Sequence, residues 1–99
     1  MPWLGWGRVR ALRLDGVDVP ILGGRVTFRR EPVVGAPERK TWQVDIKIAV
    51  PWVFELGPCT VEAELDPDGV VVGPGRLVRT AGLDIQLQSD GPWSGAQDW

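Results

Sequence analysis

The sequence predicts an all-β fold, an antiparallel β-sandwich or small β-barrel of about seven or eight short strands. Three observations lead there. Thirteen glycines and nine prolines recur at short intervals through 99 residues, leaving no long stretch with uninterrupted helical periodicity. Apolar residues alternate with polar ones in short runs. Turn signals fall between those runs about every 8–12 residues, as they do in sandwiches and barrels.

The clearest element is Leu12 to Val19, in which Asp15-Gly16 separates two alternating triplets. Asp-Gly suits a two-residue type I′ turn because both positions need positive φ. Counting outward pairs Leu14 with Val17, Arg13 with Asp18 and Leu12 with Val19. The apolar pairs then share one face and an opposite-charge pair lies on the other. Pro20 marks a strand end, since it cannot donate to a ladder, and Gly23-Gly24 reads as a turn. Residues 25–30 alternate again, with Val26 and Phe28 inward and Arg25, Thr27 and Arg29 outward. Residues 31–40 hold two prolines and a glycine and read as a long loop, a class that tends to be functional or mobile. Residues 41–50 form the strongest strand, with Trp42, Val44, Ile46, Ile48 and Val50 inward, and Pro51 ends it. Cys59, Val61, Ala63 and Leu65 mark the inward face of the next strand. Asp66-Pro67-Asp68-Gly69 suits a type I turn. Residues 70–72 return, and Gly73-Pro74-Gly75 interrupts them. Short strands follow over 76–81 and around Leu83, Ile85 and Leu87. The division is an N-terminal arm over 1–7, one domain over 8–88 and a C-terminal tail over 89–99.

The composition narrows the chemistry. Histidine and tyrosine are absent and cysteine occurs once. An intrachain disulfide, a cysteine–histidine zinc site and a histidine-based triad are therefore excluded. Glu62 and Glu64 share one strand face, but that face reads as solvated, and Asp66 and Asp68 are spaced as turn residues rather than calcium ligands. Cys59 falls on an inward face and reads as a small apolar residue. No catalytic residue, cofactor or metal is expected. No apolar run approaches the roughly 18 residues of a membrane span, and the opening residues lack the pattern of a signal peptide.

Charge and tryptophan are the unusual features. The net charge is −2, yet residues 1–47 carry nine basic and five acidic side chains, while residues 48–99 carry two and eight. Such a split suits a dipolar surface that stacks head to tail. Six tryptophans are present. Trp42 and Trp52 read as core or rim. Trp3, Trp6, Trp93 and Trp99 lie near the ends, where a fraying terminus has little use for large aromatics. Tryptophan and arginine are favoured interface anchors. The interface candidates are thus Trp3, Trp6, Arg39, Lys40, Trp93 and Trp99. Terminal tryptophans that plug the ends of the barrel are the competing explanation.

From Leu14 to Arg30 the chain, LDGVDVPILGGRVTFRR, resembles the opening of small β-rich bacteriophage virion proteins of the tail and head. The resemblance implies a sandwich or barrel that forms rings or decorates a capsid or tail. The expected function is a non-enzymatic structural module that self-associates or joins a larger virion assembly, located in the virion, or in the cytoplasm if the protein is cellular. An alternative is a small barrel of OB type binding single-stranded nucleic acid through Arg25, Arg29 and Arg30. An isoelectric point near 5.0 argues against it. A carbohydrate-binding module using exposed tryptophans is the other alternative. No membrane partner is expected.

Overall fold

A computed structural model describes residues 3–50, 55–66, 69–91 and 93–95, with the side chains of residues 3, 4, 31–33, 36–39, 94 and 95 outside that description. It is all-β, as the punctuation by glycine and proline requires. The strands are β1 (Trp3–Leu14), β2 (Val17–Val19), β3 (Ile21–Val33), β4 (Ala36–Ile48), β5 (Gly57–Asp66), β6 (Val70–Ala81), β7 (Asp84–Ser89) and β8 (Ser94–Gly95). Strands β1, β3, β4, β7, β6 and β5 pair in turn, and β5 returns to β1. Six antiparallel strands thereby close a barrel, which removes the exposed edges of an open sheet.

Strand β1 makes the closure possible. One edge pairs with β3 over Trp3 to Arg8 and with β2 over Leu12 to Leu14. The other edge pairs with β5 from Arg8 to Leu14. A register shift between Val9 and Ala11 bends the strand between its partners. The hairpin follows the sequence count, with Leu14 opposite Val17, Arg13 opposite Asp18 and Leu12 opposite Val19. Asp15 and Gly16 have φ of 52° and 81°, both in the left-handed region that the turn needs. Leu12, Leu14 and Val19 are buried, while Val17 stays half exposed beside the turn. The turn is tied to β5: Asp15 N–H donates to the Thr60 carbonyl at 2.9 Å, and Thr60 N–H donates to Asp15 Oδ1 at 2.8 Å.

The core is the inward face of every long strand: Val9, Leu12, Val26, Phe28, Trp42, Val44, Ile46, Ile48, Val61, Ala63, Leu65, Val71, Leu77, Ile85 and Leu87 are buried together. Trp52 lies outside the described residues. The strand ends at Ile48, so Val50 turns outward and is exposed.

Several breaks expected from glycine and proline are absent. Gly23-Gly24 is not a turn; it continues β3 through a register shift next to Ile21. Gly73-Pro74-Gly75 does not interrupt β6, which runs unbroken from Val70 to Ala81. Gly75 is there for space. A Cβ at Gly75 would stand 2.7 Å from Val61 Cγ2 and 2.9 Å from Trp42 Cη2. The bare backbone lets the indole of Trp42 fill the barrel.

Residues 31–40 are not a loop. They are the far end of the β3–β4 hairpin, with Arg30 opposite Lys40, Glu31 opposite Arg39 and Val33 opposite Ala36. Only Val34-Gly35 turns the chain, with Gly35 at φ 75°. Residues 1–7 are not an arm from Trp3 onward, because Trp3 to Gly7 pair with β3. The stretch from 89 to 95 is not a free tail either. Ser89 ends β7, Asp90 N–H donates to the Pro74 carbonyl at 2.9 Å, and β8 pairs with Val71 and Val72 of β6.

Candidate functional site

Two surface features stand out from the closed barrel. The first is the end of the β3–β4 hairpin. Among the described residues, strand β1 accompanies β3 only as far as Arg30, and β7 accompanies β4 only from Gln43 to Lys47. Among the described residues, the segment from Glu31 to Arg39 therefore has no strand on either flank. It reaches about 13 Å past the last shared rung, at about 3.3 Å per residue. Val34 at its tip is fully exposed. Two-stranded ribbons are marginal alone, and Pro32 and Pro37 remove one donor from each strand. Prolines on open edges also block pairing with a foreign strand. The prolines thus disfavour extension of the sheet from this end.

The hairpin is braced at its base. Trp93 stacks on Phe28 with ring centroids 5.7 Å apart and a 27° interplanar angle. Its indole Nε1–H donates to the Lys40 carbonyl at 3.2 Å. Trp93 is therefore half buried as a plug, which is the competing explanation for the terminal tryptophans.

The second feature is the outward face of the sheet formed by β1, β3, β4 and β7. Arg8 lies opposite Arg25, Arg25 opposite Asp45, and Asp45 opposite Gln86. Trp6 is 67% exposed, and the Arg25 guanidinium sits 5.0 Å from the centre of its ring. A hollow of about 560 Å³ opens here, lined among others by Trp6, Arg8, Gly23, Arg25, Lys47 and Arg79. The Asp45 carboxylate in it accepts from Gln86 Nε2 at 3.0 Å and Gln43 Nε2 at 3.1 Å. A second hollow of about 440 Å³ lies on the neighbouring rungs, between Thr27, Arg29, Gln43 and Gln88.

Trp6 and Arg25 come together. Arg29 shares the outward face of β3 with Arg25, while Arg30 points the other way by strand alternation. Lys40 is exposed beside Trp93. Trp3 and Arg39 are fixed by backbone pairing to Arg30 and Glu31, and their side chains fall outside the description. Trp99 lies outside the described residues. Arg8, Lys47 and Arg79 carry no local signal, because only the register brings them from three strands to one hollow.

The acidic side is β5. Glu62 is not a free carboxylate: Arg13 bonds it through Nη1 and bonds Asp18 through Nε at 2.8 Å. Those two carboxylates, Glu62 first, hold the Arg13 guanidinium above its ordinary pKa. Cys59 is half buried against the core. Burial, then the charge of Asp15, pushes its thiol above the usual range.

No family model, curated protein or solved structure matches this chain. No helix among the described residues is long and apolar enough to cross a membrane.

Proposed function

We propose that the protein is a non-enzymatic assembly module that self-associates head to tail through the projecting β3–β4 hairpin. The observation that carries this reading is the hairpin itself. A ribbon with no flanking strand among the described residues and an exposed valine at its tip gains most by burial in a neighbour. The opposite end of the same ladder offers a receiver. Ile21 pairs with Ile48 there, and the adjoining Leu22 and Val50 are 66% and 45% exposed. Tip and receiver lie about 40 Å apart along β3, so one copy's tip reaches the next copy's far end rather than its own. Such a contact is heterologous and generates a ring if it closes and a filament if it does not. A virion ring or decoration layer, the setting that the resemblance of residues 14–30 implies, is one home for such a module.

Light-scattering mass over a concentration series tests it. The expected result is growth from 10.9 kDa to a discrete multiple or an extended polymer. Val34→Asp and Leu22→Asp should each return the chain to a folded monomer. A wild-type monomer at every concentration overturns the reading.

A further inference from the structure

We propose that the outer face of β1, β3, β4, β7 and β6 is a binding track for single-stranded nucleic acid, independent of the hairpin contact. Four cations from four strands, Arg8, Arg25, Lys47 and Arg79, converge on the larger hollow. None of them makes an ion pair among the described residues. Asp45 and Asp84 also line the hollow, and the Asp45 oxygens are occupied by the Gln43 and Gln86 amides. The hollow thus keeps an excess of two positive charges in a chain whose net charge is −2. Arg8 and Arg25 stand directly opposite one another. Asp66 and Asp45 lie opposite them on their other edges without bonding them, and an anion between the two guanidiniums offsets the like-charge contact.

The aromatic component separates a nucleic acid from a plain polyanion. Trp6 is two-thirds exposed at the wall of the hollow. The guanidinium of Arg25 fixes its ring on one side, and a base stacks on an aromatic platform of this kind whatever its identity. The second hollow adds hydroxyl and amide groups from Thr27, Gln43 and Gln88 next to Arg29. From Thr41 to Lys47 the two hollows span about 20 Å of β4, which suits the lower end of the 4–16 nucleotides bound by small barrels. An acidic protein segment would use the cations and leave the indole and the amides idle.

Gly23 provides the decisive variant. A Cβ there meets nothing within 4 Å, and its φ is not in the left-handed region. Gly23→Glu therefore places a carboxylate in the hollow without straining the barrel. The measurement is fluorescence anisotropy of a labelled oligo(dT) of about 12 nucleotides with the 99-residue chain. Four phosphate contacts on a single strand should weaken binding about 50-fold between about 50 and 200 mM salt. Trp6→Ala should weaken it about tenfold or more, and Gly23→Glu should abolish it while leaving the melting temperature unchanged. Polyglutamate should compete poorly. Absence of binding at low salt, binding indifferent to Trp6→Ala or Gly23→Glu, or equal competition by polyglutamate overturns the proposal.

Discussion

The barrel and the hairpin that leaves it are built from the same two strands and are stabilised in different ways. Between Arg25 and Arg30, β3 is paired on both edges and buries Val26 and Phe28. A few residues on, the same strand has β4 as its only strand neighbour among the described residues, and the tip reaches solvent at Val34. The turn between β1 and β2 sharpens the contrast. It too carries a glycine at positive φ, but Asp15 exchanges hydrogen bonds with Thr60 and so belongs to the barrel. A turn tied to the body shares the global stability, and a turn that projects opens locally. The projecting end is thus the part whose order a neighbour can complete.

The comparison can be broken by substitution. The largest effect should come from Leu87→Ala, which empties a fully buried site in the barrel. It should cost about 2–5 kcal/mol in chemical denaturation. Gly75→Ala should cost about 1–3 kcal/mol by overpacking against Val61 and the ring of Trp42. In a 99-residue domain that lowers the melting temperature by roughly 4–8 °C per kcal/mol. A paired test follows. Gly16 and Gly35 have φ of 81° and 75°, so alanine is disfavoured at both by about 1 kcal/mol. Gly16→Ala should lower the global melting temperature, whereas Gly35→Ala should fray the tip and leave the melt of the monomer unchanged. Val34→Asp should shift monomer stability by less than about 0.5 kcal/mol and still remove self-association.

Cys59 gives a pH test confined to the barrel. Its folded thiol titrates above the unfolded one, because burial and Asp15 disfavour the thiolate. The contribution is complete below the unfolded pKa. Above it the unfolded chain releases a proton that the folded chain keeps, so stability falls as pH rises through the alkaline range. Cys59→Ala should flatten that slope. Thiol labelling at pH 8 should be slow in the native protein and fast in urea.

Much of the barrel is legible in the sequence because local rules agree there. Alternation places Val26, Phe28, Trp42, Val44, Ile46, Val61, Ala63, Leu65, Ile85 and Leu87 inward, and all are buried. The Asp-Gly turn fixes the first hairpin to the residue. Glycine and proline mislead where their role is tertiary. Gly75 accommodates Trp42 from another strand, which no neighbouring residue signals. Pro32 and Pro37 read as loop residues, yet a ribbon with open edges tolerates missing donors. Closure of β1 on β5 joins residues about fifty positions apart, and no local pattern encodes it. For the same reason local alternation marks Arg25 on an outward face but does not mark Arg8, Lys47 and Arg79 as its neighbours. Their convergence depends on four pairings that link five strands.

The most direct measurement is amide hydrogen exchange, read residue by residue in dilute and concentrated protein. In the dilute monomer, amides at the hairpin tip around Val34 should exchange rapidly while Val26, Val44 and Leu87 are protected near the global limit. On concentration the tip amides should slow as the hairpin docks, with the barrel unchanged. Tip amides as protected as the barrel in the dilute monomer, or still fast in the associated protein, would contradict a hairpin held in reserve for a neighbour.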